Sequence, residues 1–206
     1  MKKEIKLSKT DKTDLKRNEI VESFYGLVIK DGLENASMAK IANVIGIPSS
    51  LIFHYFKNKQ ELIYSLIDYA LEICEGECKL PLKEKKSGKG NFEDYIDFLL
   101  KNLSASNKEA TLVYFACRNL AFRDEVAFEK FRIHEEISIQ RTESDLLEFI
   151  ARGEIIHENP IVGAGYLCAI FNGIEFLADF ADGTQMLEQM KQEHKRKILE
   201  YFKYKG

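Results

Sequence analysis

The 206-residue chain has no tryptophan, three prolines and twelve glycines. Residues that punctuate short strands are therefore scarce, which weighs against a sandwich or a barrel. Leu, Ala, Glu, Lys and Ile dominate instead, and these favour helices. The four cysteines, at 74, 78, 117 and 168, contain no Cys-x-x-Cys pair and sit in apolar or helical stretches. They read as reduced, buried thiols of a cytoplasmic protein. The four histidines (54, 134, 157, 194) lack Cys or carboxylate partners at a metal-ligand spacing, so no metal is expected. Gly88-x-Gly90 has no flanking strand and is no nucleotide fingerprint. No nucleophile, base and orienting group stand together, so neither a catalytic site nor a cofactor is indicated.

A large charge of one sign is also missing. The net charge is −3, split unevenly: residues 1–70 hold 11 Lys/Arg and 9 Asp/Glu (11 − 9 = +2), and the remainder 19 and 24 (19 − 24 = −5). Any phosphate binding must then come from a few placed cations and backbone N–H groups. From Met1 to Arg17 the apolar residues Ile5, Leu7 and Leu15 are isolated, so no signal peptide is expected. The longest apolar run ends early: Ile161 to Ile174 is 14 uncharged residues, and Glu175 and Asp179 follow one turn apart. That is short for a bilayer span and reads as a buried helix, with no membrane partner.

What is present is helical periodicity. Ile20, Phe24, Leu27 and Val28 form one stripe of a helix starting near Asp14 and ending at Gly32. Ser37 caps a short second helix carrying Met38, Ile41, Ala42 and Ile45, and Gly46 stops it. Pro48 opens a third helix reaching about Phe56. Asn58, with Glu61 three residues on, caps a fourth that runs towards Glu77. Residues 79–91 mix proline, glycine and lysines and form the expected boundary. Longer helices follow: Phe92–Leu103, Lys108–Phe122, Asp124–Arg152, Asn159–Gly183 and Thr184–Tyr204. The expected fold is all-α, with about nine helices. An N-terminal head (1–57) is joined by a connecting helix (58–78) to a C-terminal domain (79–206).

The second and third helices carry the functional signal. Two short helices joined by about four residues cross steeply. Ala42 permits close packing, Gly46 the sharp turn, and Ile41, Ile45, Ile47, Ile52 and Tyr55 the shared core. This is a helix-turn-helix, whose second helix enters the major groove. Ser49, Ser50 and Leu51 would meet the bases, with Phe53 and His54 on the exposed face. Tyr55, Lys57 and Lys59 are phosphate candidates, as is Ser37 at the start of the second helix, and Met38 beside it is a further DNA-contact candidate. The plainer alternatives are solvated lysines, a Tyr55 core ring, and caps at Ser37 and Asn58 with no DNA role.

The run ASMAKIANVIGIPSSLIFHYFKNKQELI resembles the N-terminal domain of the tetracycline-repressor-like (TetR) regulators. The matching elements are Ser37, Ile41-Ala42, Gly46-Ile47, Phe53-His54-Tyr55-Phe56, Lys57, Lys59 and Glu61-Leu62. The resemblance covers roughly residues 14–70. It departs at Pro48-Ser49-Ser50-Leu51, where the family more often has a small or basic residue, glycine and then Thr or Ser. No Arg, Asn or Gln is available there for bidentate base reading. Specificity would then depend on dimer spacing, phosphate contacts and DNA shape.

The resemblance implies a homodimer on palindromic double-stranded DNA, released by a small ligand in the C-terminal domain. Candidate seam residues are Leu167, Ile170, Ile174, Leu177, Ala181, Met186, Met190 and Ile198, with an intrachain core as the alternative. Residues 92–182 hold thirteen Phe or Tyr. Phe98, Tyr114, Phe115, Phe122, Phe131, His134, Tyr166, Phe171 and Asn172 are candidates for lining a cavity for a small hydrophobic effector. Each could equally be core. The rival class is an all-helical enzyme or small-molecule carrier without DNA binding.

Overall fold

The computed structural model describes residues 9–78, 90–102, 108–181 and 185–206. Most of the expected 79–91 boundary, the stop at Gly183, and the side chains of Cys78 and Ala181 lie outside the described residues. Among the described residues there are nine α-helices and no strand. They are α1 (Lys9–Asp31), α2 (Met38–Val44), α3 (Ser49–Tyr55), α4 (Lys59–Cys78), α5 (Phe92–Asn102), α6 (Lys108–Arg118), α7 (Glu125–Ala151), α8 (Pro160–Ala181) and α9 (Gln185–Tyr201). A single turn of 3-10 helix, Asn119–Phe122, separates α6 from α7. Helix α1 begins five residues before the expected Asp14.

The chain divides into two compact units, Met1–Cys74 with Glu109–Phe131, and Glu75–Lys108 with Arg132–Gly206. Composition alone assigns 109–131 to the C-terminal domain. In the structure Val113, Cys117, Ala127 and Phe131 share a core with Ile20, Phe24, Ile52, Leu62 and Ile67. Periodicity shows that a helix has an apolar face but not which core that face joins.

In the first unit, α1 buries Ile20, Val21, Phe24, Leu27 and Val28. The stripe recurs every three or four residues, which places it on one side of the helix. The chain turns at Gly32 and Gly46, both with positive φ (79° and 68°), where a Cβ would be strained. The Ser37 side chain accepts the Lys40 N–H at 3.2 Å, capping α2. Pro48 occupies the cap of α3 rather than its first turn. Asn58 caps α4 by accepting the Glu61 N–H at 2.8 Å. Asp124 caps α7 through the Ala127 N–H (2.8 Å) and also accepts from Tyr64 (2.8 Å) and Gln60 (2.9 Å) on α4.

The second unit is built on rings. Phe92 meets Phe149 and Phe202 edge-on, each with centroids 5.3 Å apart, and Tyr95 meets Phe149 at 5.4 Å. Such T-shaped pairs are favoured over face-to-face stacking. Helix α9 packs on α8 and α5. Gly163 lets the Phe202 ring approach: a Cβ at that position would lie 2.8 Å from Cε1. By length and composition alone Pro160–Ala178 is long and apolar enough to cross a membrane. Here Ala164, Leu167 and Ile174 along it join the core with Phe92, Leu146 and Ile198.

Candidate nucleic-acid interface

The first three helices pack against one another as a helix-turn-helix requires. Ile41 and Ala42 of α2 and Ile52 of α3 are buried. The turn closes through the Ile47 N–H donating to the Ala42 carbonyl at 3.0 Å. With Ile52 inward, Ser49, Ser50, Phe53 and His54 face out, and Phe53 is 54% exposed. A half-exposed Phe on a seven-residue helix contributes little to the unit's own core, so its surface is free for a partner. Leu51 is half-buried at the rim of this face. Ser37 and Lys57 are also exposed.

Three expected DNA contacts are drawn inward instead. Met38 and Tyr55 pack against the hydrophobic core. The Lys59 ammonium donates to the carbonyls of Leu33 (3.0 Å) and Glu34 (3.2 Å). Those carbonyls lie in the turn after α1, so Lys59 ties α4 to that turn rather than standing free for a phosphate. The distance in sequence, 26 and 25 residues, hides this contact from local pattern reading.

Sequence reasoning missed Arg17. One guanidinium nitrogen donates to the Tyr55 carbonyl and the other to Glu61 Oε1 at 3.2 Å. The same group lies 4.1 Å from the centroid of the Phe56 ring. Glu61 in turn accepts the Lys57 N–H at 2.8 Å, and that bond, with Arg17 beside it, holds its carboxyl below the ordinary carboxylate value. A signal was available: Arg17 precedes Ile20, Val21 and Phe24 by three, four and seven residues, so a cation sits on the apolar stripe of α1.

The nine effector candidates do not form one site within either unit. Tyr114, Phe115, Phe122 and Phe131 belong to the first unit; Phe98, His134, Tyr166, Phe171 and Asn172 belong to the second. Phe131 is buried in the first unit's core, and Tyr114 packs edge-on against both Phe115 and Phe131. Phe122 is 82% exposed and Asn172 is exposed, so neither lines an enclosed space. Tyr166 stacks on Tyr201, 4.3 Å between centroids, and Phe171 packs on the core. His134 stands among charges, 3.8 Å from Glu75, whose other oxygen is 3.7 Å from Arg141. Phe98 is half-buried. A groove of about 370 Å³ is lined by Asp97, Leu100, Lys101, Glu188, Lys191, Gln192 and Lys195, none of them a candidate.

The expected dimer seam is corrected in part. Leu167, Ile174 and Ile198 have at most 1% of their surface exposed and belong to the intrachain core. A side chain with no free surface cannot touch a partner. Ile170 packs on the same core and Met190 is half-buried. Leu177 and Met186 are exposed as expected, together with Ile161, Val162 and Phe176.

Residues 25–66 match the family model described as bacterial regulatory proteins, tetR family. No curated protein matches the sequence. Solved structures match the fold at low identity. A transcriptional regulator from Saccharomonospora viridis in complex with choline aligns with TM-score 0.73 and 14% identity, over 91% of this chain and 97% of that one. GusR of Salmonella enterica gives 0.72 and 17%, over 97% and 100%. A TetR transcription regulator from Haloarcula marismortui gives 0.71 and 19%, over 92% and 97%. Residues 25–66 thus carry a segment similar to the tetR family of bacterial regulatory proteins, packed as a helix-turn-helix, and the chain as a whole shares its fold with these solved regulators.

Proposed function

We propose that this DNA-binding regulator is a ligand-responsive repressor. It acts as a homodimer on a palindromic operator and is released by a small hydrophobic effector. The observation that carries the reading is the outward face of α3, with Ser49, Ser50, Phe53 and His54 presented above a buried Ile52. A short helix with one face in the core and the other free is what major-groove reading needs. The head is 1–57 and the connecting helix 58–78. Ser37 and Lys57 are the proposed phosphate contacts, and Leu51 reaches a thymine methyl from the rim.

The homodimer reading is supported by α8. Ile161, Val162, Phe176 and Leu177 of α8 and Met186 of α9 are large apolar residues left exposed. Exposed apolar faces mark association surfaces. A small-molecule effector, though not its hydrophobic character, is supported by the S. viridis regulator, whose structure contains choline. The proposed contacts are those of the second unit, Phe98, His134, Tyr166 and Phe171.

Gel shifts with duplexes selected from a random pool test the reading. Retention of a palindrome, weakening steeply with salt, is the expected result. Lys57→Ala should lower affinity about equally for all duplexes and reduce the salt slope by about 1. Binding to no duplex at low salt would reject it.

A further inference from the structure

We infer that Arg17 is a positioning residue for DNA recognition: it fixes the C-terminal end of α3, and through that the angle at which α3 meets the bases. The inference rests on the DNA-binding reading. Helix α3 has seven residues, so it has too few internal hydrogen bonds to hold its own direction. Its buried residue is Ile52, and its chain continues into the extended Phe56. The Tyr55 carbonyl lies in the last turn, where a carbonyl has no partner within the helix.

Arg17 supplies that partner from α1 and does two further things with the same group. It lies over the buried Phe56 ring at 4.1 Å, and it pairs with Glu61 at 3.2 Å. Glu61 holds the Lys57 N–H at 2.8 Å, so the turn from α3 into α4 is gripped at 55, 56 and 57 by one linked set. The cation also sits at the negative end of α3, where it is favoured. A planar guanidinium can serve a carbonyl, a carboxylate and a ring face together, whereas an ammonium is a point charge without a stacking face. A helix freed at this end would still carry Ser49, Ser50, Phe53 and His54, but at an unfixed angle. Loose attachment lowers the advantage of the right sequence more than it lowers attraction to phosphate.

The test uses the full chain, a duplex that the wild type selects from a random pool, and a scrambled duplex of equal length. Both are titrated across salt with wild type, Arg17→Lys, Arg17→Met and Glu61→Gln. Arg17→Met should cut the selected-to-scrambled affinity ratio about tenfold, the loss of about one well-formed base contact, with the salt slope unchanged. Arg17→Lys should fall between it and wild type, and Glu61→Gln should lose less. An unchanged ratio in both Arg17 variants overturns the inference. So does an equal loss on both duplexes with a slope smaller by about 1, which would make Arg17 a phosphate contact. If Arg17→Met does not fold, a full ratio in Arg17→Lys and Glu61→Gln overturns it. A wild type that selects no duplex defeats the DNA-binding reading itself, and the inference with it.

Discussion

Both units have cores of mixed aliphatic and aromatic side chains, but the first includes two seven-residue helices, whereas in the second four rings meet one another. In the first, α2 and α3 are seven residues each, and their stability comes from sharing Ile41, Ala42 and Ile52 with α1 and α4. In the second, Phe92, Tyr95, Phe149 and Phe202 meet across α5, α7 and the end of the chain. The difference teaches where recognition can be placed. Short helices keep one face free because the other suffices to anchor them. The long α8 of the second unit leaves Ile161, Val162, Phe176 and Leu177 exposed.

The largest test of this contrast is a pair of core truncations. Phe24→Ala in the first unit and Phe92→Ala in the second should each cost about 3–5 kcal/mol, because both side chains are fully buried. Urea titration measures this, and a loss below about 1 kcal/mol in either would show that its core is wrongly placed.

Asp124→Ala comes next. It removes a cap that also accepts from Tyr64 and Gln60, and about 1 kcal/mol of stability should go with it. The Ala127 N–H holds this carboxyl below its ordinary 3.8. Its contribution is complete above 3.8 and is lost as pH falls through the lowered value, since the unfolded form then binds the proton more tightly.

His134 places the second unit's acid response higher. Burial pushes His134 below its ordinary 6.5, against the attraction of Glu135 and Glu75. The fold therefore favours the neutral ring. Its contribution is complete above 6.5 and declines as pH drops through the lowered value. Urea midpoints between about pH 7 and pH 5 should fall less in His134→Gln than in wild type. Equal slopes would remove His134 as the cause.

The smallest stability effect is expected for Phe53→Ala, within about 0.5 kcal/mol, because the ring is exposed. DNA affinity should nonetheless drop. A marked loss of stability with unchanged binding would make Phe53 a packing residue and remove it from the interface.

Much of the head was legible in the residues. The α1 stripe, the Ser37 and Asn58 caps and the positive-φ glycines depend on neighbours three or four positions away, and local rules govern them. Lys59 and Arg17 were not legible in the same way. Their partners lie 25 to 44 residues distant, and no local rule says which carbonyl a long cation reaches. That the effector candidates divide between the two units was not legible for a related reason. An aromatic residue has the same pattern whether it faces a cavity, a core or solvent, and Phe131, Tyr166 and Phe122 turned out respectively buried, stacked and exposed.

By itself the sequence determined the all-helical class, the helix-turn-helix and the outward position of Ser49, Ser50, Phe53 and His54. Helix periodicity, caps and glycine turns act within a few residues, and they suffice for that. Only the tertiary structure decided that residues 109–131 join the first unit, that Leu167, Ile174 and Ile198 are core rather than seam, and that Arg17 grips the end of α3. Each of these depends on which face meets which neighbour across the chain, and that is settled by packing rather than by spacing.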